Sequence, residues 1–144
     1  MSSTLLSAQL AGAQACLDYV SSANVDGLRD LFAPNFTHEL FPSTTAGSQT
    51  KRSKDDFLGS VQYFWANVLE RLKFLSPFDI VQAPDVVVLH VKADGMTKWG
   101  KPYTNEYMMT FRFEGGKIIS IREFVDSLFS ADLMASVPAP APAQ

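Results

Sequence analysis

The sequence predicts an α+β fold, a mostly antiparallel sheet with its helices gathered on one face. Three observations carry this expectation. Apolar residues recur at helical spacing in the first half of the chain, β-branched and aromatic runs fill the second half, and the gaps between those runs are too short for crossover helices. The 144 residues are 47% hydrophobic, 12% aromatic and 19% charged, which suits one globular core and leaves no chain for a second.

Leu6, Leu10, Ala13, Leu17 and Val20 draw one apolar stripe along a helix over Ser3–Ser22. Asn24 caps a short second helix, Val25–Phe32, which Pro34 stops. Asn35–Phe41 is short, aromatic and bounded by Pro34 and Pro42, and it reads as a strand; a polar loop, Ser43–Arg52, follows. Ser53-Lys54-Asp55-Asp56 has the form of a capping box, and Phe57, Val61, Phe64, Val68, Leu72 and Leu75 keep helical spacing as far as Pro77. Four strands complete the pattern, Phe78–Val81, Asp85–Ala93, Tyr103–Phe113 and Lys117–Val125, divided by Pro84, by Asp94-Gly95 with Gly100, and by Gly115-Gly116. Residues 1–130 then form a single domain and the Ala/Pro-rich residues 131–144 a flexible tail, because each Pro after Val137 fixes its own φ and lacks an amide donor.

Charge and motifs exclude several classes of function. Twelve Lys and Arg against fifteen Asp and Glu give a formal charge of −3, the wrong sign for a nucleic-acid face. The basic cluster Lys51, Arg52 and Lys54 reads as the solvated start of a helix. Cys16 stands alone, so no internal disulfide forms. Met1–Leu10 lacks the charge of a targeting segment and no run of 18 apolar residues occurs, so a cytoplasmic location without a membrane partner is expected. His38 and His90 fall on different strands with no His-x-His or Cys-x-x-Cys beside them, and no phosphate-binding loop or nucleophile elbow is present. Neither a metal nor another cofactor is expected, and His90, between Leu89 and Val91, reads as a core or edge histidine.

Counting outward from a two-residue turn at Gly115-Gly116 sets Glu114 against Lys117, Tyr107 against Phe124 and Asn105 against Asp126. A carboxylate, a phenol and an amide then share one face among Phe and Met side chains such as Met109 and Phe111, with Tyr103 near by. Asp126 suits a general base and Tyr107 a donor to a developing enolate or alkoxide. Glu123 lies three residues earlier and points to the opposite face of an unbroken strand, so it is held in reserve in case of a bulge. Tyr19, Tyr63 and Trp65 lie on helices and suit either a pocket wall or core packing. Both faces of Val86–Leu89 and of Ile118-Ile119 are apolar, which predicts a homodimer through the outer face of the sheet.

Over about Gln9–Phe129 this order of elements resembles the nuclear-transport-factor-2-like fold, a cone in which a strongly bent sheet wraps around helices and opens at one end. Ser53–Phe57 at the start of the long helix, and Asn105–Asp126 at the end of the sheet, are similar to the SnoaL-like polyketide cyclases and their relatives. The resemblance implies a cofactor-independent isomerase, cyclase or hydrolase that acts by general acid/base catalysis on a hydrophobic secondary-metabolite intermediate such as a polyketide or terpenoid. A non-catalytic binding or assembly module and an epoxide hydrolase are the alternatives within the same superfamily. Thr37-His38-Glu39-Leu40-Phe41-Pro42 is similar to the first-strand motif of fungal members acting on meroterpenoid, alkaloid or polyketide intermediates, which implies pocket roles for His38 and for Glu39, where Arg is frequent. Asp126 matches the position from which cyclases and epoxide hydrolases of the superfamily supply a carboxylate.

Overall fold

Local signals start the helices where the sequence puts them. The Asn24 side chain accepts the Gly27 amide at 2.9 Å, and Ser53 and Asp56 exchange reciprocal hydrogen bonds of 3.2 and 3.3 Å. The computed structural model describes residues 3–45 and 51–143, so the middle of the polar loop predicted over Ser43–Arg52 lies outside the described residues. The elements run α1 (Ser3–Ser21), α2 (Val25–Leu31), β1 (Phe32–Phe41), β2 (Lys51–Ser53), α3 (Lys54–Asn67), β3 (Leu69–Phe74), β4 (Asp79–Ala83), β5 (Val86–Thr97), β6 (Pro102–Tyr103), β7 (Glu106–Glu114), β8 (Lys117–Val125) and α4 (Ser127–Ala135).

Six strands follow one another across the sheet as β2-β1-β8-β7-β5-β3, with β4 and β6 also paired to β5. Among the described residues only the β1–β8 pairing is parallel. The sheet curls over α1, α2 and α3 into a cone-shaped α+β barrel, as predicted. Inward residues of β5 alternate strictly, with Val87, Leu89, Val91 and Ala93 wholly buried, each of the three larger ones contributing about 1.5–3 kcal/mol of hydrophobic stabilisation. At the base, Phe32 and Phe36 stack at 3.9 Å and 6° while Phe57 meets Phe32 edge-on at 5.6 Å.

The structure corrects several boundaries. The predicted long helix ends at Asn67, and Leu69–Phe74 is strand β3. Leu72 and Phe74 satisfy a strand's alternation as well as Leu72 and Leu75 satisfy a helix, and pairing with β5 decides between them. Asp94-Gly95, expected to separate strands, lies inside β5, because a Cβ on Gly95 would sit 2.6 Å from the Arg71 carbonyl oxygen, an approach only glycine permits. The predicted strand Tyr103–Phe113 is two, β6 and β7, separated where the Asn105 side chain accepts the Glu106 amide at 2.9 Å. Pro34 does not stop α2 from outside the strand but lies exposed within β1, across the irregular register between Phe32 and Thr37. Residues 131–135, predicted to open the tail, belong to α4, which buries Leu133.

Candidate active site

The site is decided by one extra residue. The Gly115-Gly116 turn, with both glycines at positive φ, pairs Glu114 with Lys117 and Phe113 with Ile118, as predicted. A β-bulge then sets Arg112 against Ser120, so that one residue more is used on β8 than on β7. Ile118 and Ile121, three apart, both reach the core, which strict alternation forbids. Beyond the bulge Tyr107 pairs with Val125, Met108 with Phe124 and Met109 with Glu123. The predicted pairs Tyr107–Phe124 and Asn105–Asp126 are therefore not formed. Phe124 is 55% exposed on the outer face, and Glu123 takes the inward place.

A cavity of about 590 Å³ opens between the concave face of the sheet, α1, α3 and α4. Its wall is mainly apolar, from Leu17, Phe64, Leu72, Met109, Phe111 and their neighbours. On one side of it lies His38, 2% exposed. Antiparallel pairing puts Arg52 of β2 directly opposite it, and the Arg52 guanidinium lies 3.3 Å from His38 Nδ1. A guanidinium only donates, so Nδ1 accepts, and the proton of a neutral ring resides on Nε2. That Nε2 is buried without a hydrogen-bond partner, 3.7 Å from Glu123 Oε2, which is too long for a hydrogen bond. The Phe57 ring, 4.7 Å away, packs against the imidazole.

Tyr103 and Tyr107 also line the cavity, their hydroxyls 2.6 Å apart. Only one of the two hydroxyls donates within the pair, which leaves one O–H for a ligand. Burial, and then the negative charge of Glu123, push Tyr103 up to about 12 despite its bond to Tyr107; burial with Tyr103 and Glu123 beside it pushes Tyr107 well above 10.0. Both are neutral donors at ordinary pH. Cys16, also on the wall, is pushed up by burial and by Glu123, so its thiol is protonated and unreactive.

Among the other predicted residues, Asn105 is buried on the wall and donates to Ser130 Oγ at 3.3 Å. Trp65 lines the cavity while its indole N–H donates to the Val20 carbonyl at 2.8 Å, and Tyr63 stands 63% exposed at the rim. Four predicted residues lie elsewhere. Asp126 is exposed and accepts the Phe129 amide at 3.1 Å as the N-cap of α4. Glu39, on the opposite face of β1 from His38, pairs with Arg122 at 3.5 Å. Tyr19 packs against α2, where a Cβ on Gly27 would meet its ring at 2.9 Å, and Phe124 faces outward. His90, expected to be a core or edge histidine, lies half-buried on β5 between β4 and β7, 2.9 Å from Glu106. Arg52 is the site residue that sequence reasoning missed; its position one residue before the cap Ser53, on a segment able to pair with Thr37–Glu39, was the available signal. Among the described residues no group of three or more His, Cys, Asp and Glu gathers as a metal site.

A bent sheet closed over an apolar chamber, with a few polar groups at one wall, defines a cone of the nuclear-transport-factor-2-like class built around a small-molecule-sized hollow. Residues 13–121 match the sequence profile of the SnoaL-like domain, and the chain belongs to that family. No functionally curated protein matches the sequence. Among solved structures, PrhC from Penicillium brasilianum superposes with a TM-score of 0.80 at 17% identity, over 91% of this chain and 88% of that one. IdmH from Streptomyces antibioticus, provisionally assigned as a polyketide cyclase, gives 0.70 at 21% identity over 86% and 96%. An epoxide hydrolase of M. tuberculosis, of the LEH-like kind, gives 0.69 at 10% identity over 92% of each chain. At these identities the likeness is one of fold.

Proposed function

We propose that this chain is a cofactor-independent SnoaL-like enzyme, an isomerase, cyclase or hydrolase that moves protons on a hydrophobic biosynthetic intermediate such as a polyketide or terpenoid. The observation that carries the reading is His38 Nε2, a buried polar atom without a partner 3.7 Å from Glu123, on a residue that lines the apolar chamber. An unsatisfied buried donor costs about 1–3 kcal/mol, and a substrate oxygen bound there offsets it. Glu123 is the base. His38 Nε2–H and the free hydroxyl of the Tyr103–Tyr107 pair donate to the oxyanion that forms as the proton leaves, and Arg52 holds the imidazole in the donating tautomer.

The test begins with the small molecule that copurifies with the protein, identified by mass spectrometry, and follows its turnover by wild type and Glu123→Gln. Loss of the base lowers kcat by about 10²- to 10⁴-fold with Tm held within about 2 °C. A ligand recovered unchanged after prolonged incubation with wild type overturns catalysis in favour of a carrier. One observation favours hydrolysis of an epoxide as the second reading, since Asp56, Arg52 and Glu123 line the same cavity and together supply two carboxylates and a cation for activating water. Incorporation of ¹⁸O from labelled water into a diol product distinguishes it from isomerisation.

The same reading includes a homodimer through the outer sheet face, where Val81, Met108 and Phe124 are 54%, 45% and 55% exposed and Met108 pairs with Phe124. Sedimentation that finds only a 15.8 kDa species at micromolar concentration rejects it.

A further inference from the structure

A second hollow, of about 460 Å³, adjoins the first between the C-terminal end of α3, the β5–β6 turn and the end of α4. Val68, Trp99, Val137 and Pro138 give it an apolar wall. The two hollows share four lining residues, Tyr63, Phe64, Leu133 and Met134. Of these Leu133 is buried, but Tyr63 and Met134 are 63% and 57% exposed, so side chains with room to turn separate the chambers. The ionisable and hydrogen-bonding groups described above, His38, Arg52, Glu123 and the two tyrosines, line the inner chamber and not the outer one. Lys98 lines the outer chamber, exposed, with no Asp or Glu among the described residues of that wall and no ion pair to a described residue.

We infer that the outer hollow is a second subsite, and that the substrate is an elongated amphiphile whose reacting portion occupies the inner chamber while an unbranched apolar tail passes Met134 and ends in a carboxylate against Lys98. The inference rests on the reading of the inner chamber as a small-molecule site. A compact ring system fills the inner volume alone and leaves the outer apolar wall wet, whereas a chain that continues past Leu133 covers both. An anionic end meets Lys98, the one cation among the described residues of the outer wall, and stays in contact with water, so its charge is not buried.

The chain carries its own reporters, since its two tryptophans divide between the chambers, Trp65 on the inner wall and Trp99 on the outer. Single-tryptophan proteins, Trp99→Phe and Trp65→Phe, are titrated with saturated monocarboxylates from hexanoate to hexadecanoate and with alcohols of equal length. Short acids, anchored at Lys98, change the emission of Trp99 alone. Longer acids change that of Trp65 as well, and affinity keeps rising about fourfold per added CH₂ through the length at which Trp65 responds. In otherwise wild-type protein, Lys98→Glu weakens the long acids at least tenfold and leaves the alcohols within twofold. A Trp65 response with no Trp99 response at any length overturns the second subsite and leaves the inner site standing; silence from both overturns both. An acid that changes the emission of Trp99 yet binds equally well to Lys98→Glu overturns the carboxylate end.

Discussion

Replacing His38 with Phe separates the contribution of the imidazole to the fold from its contribution to the chemistry. The ring lies 2% exposed among Phe57 and other apolar neighbours, with Nε2 unpartnered and Nδ1 held only by a 3.3 Å contact to the half-buried Arg52. Removing the unsatisfied donor recovers about 1–3 kcal/mol of desolvation cost. Losing a long bond to a guanidinium that water can solvate costs roughly 0.5–1 kcal/mol. A benzene ring has room to extend into the adjoining cavity, so overpacking adds little. His38→Phe is therefore expected to be more stable than wild type by about 0.5–2 kcal/mol, a rise in Tm of about 2–6 °C for a chain of this length. Thermal unfolding followed by circular dichroism reads the first effect, and turnover of the copurified ligand reads the second, which falls at least 10²-fold. A variant destabilised by more than about 1 kcal/mol refutes the reasoning, because it would mean that the imidazole is a satisfied structural group.

Three further outcomes test other parts of the account. Asp126→Ala removes the N-cap of α4 and lowers stability by about 1 kcal/mol while turnover stays within threefold, measured by parallel melting and activity assays. Gly95→Ala forces a Cβ to 2.6 Å from the Arg71 carbonyl oxygen and costs about 1–3 kcal/mol, read as a lower urea midpoint. Tyr103 has a folded-state pKa of about 12 against 10.0 for the free phenol, so the neutral form stabilises the fold fully below pH 10 and that contribution is lost as pH rises through 12. The Tyr103 share of the resulting fall in Tm is equivalent to about 3 kcal/mol between pH 10 and 12 and is removed in Tyr103→Phe, while Cys16 and Tyr107, likewise pushed up by burial, add to a decline that begins as pH passes 9.0.

Element types were legible where one local signal governed. The capping box at Ser53–Asp56, the stripe of α1 and the Gly115-Gly116 turn each lie within a few residues of sequence, and each holds in the structure. The end of α3 was not legible, because Val68–Leu75 satisfies two periods and only a distant strand, β5, selects one. The site was half legible. Strand position and the family motif single out His38 and Tyr107, but counting from the turn favours Asp126 over Glu123, and that count fails at Arg112, where the bulge consumes one residue. Arg52 was hidden for a similar reason: a three-residue strand, separated from β1 in the sequence by residues 42–50, leaves no periodicity to read.

That bulge makes β8 a strand in two phases. From Lys117 to Ile118 it keeps step with the hairpin, and from Ser120 onward it runs one residue out of step with its own turn. The hairpin end and the chamber end are thereby uncoupled, so the core around Phe113 and Ile118 is indifferent to which alternate set of residues faces the chamber. Removing residue 119 would take out the bulge and leave Glu123 inward, opposite Met109; keeping it but pairing it with Arg112 would instead present Arg122 and Phe124 to the chamber, exchanging an acid for a cation and an aromatic ring without altering any of the three. In a fold whose scaffold consumes nearly the whole chain, the bulge rather than the side chains themselves selects which residues line this wall of the chamber.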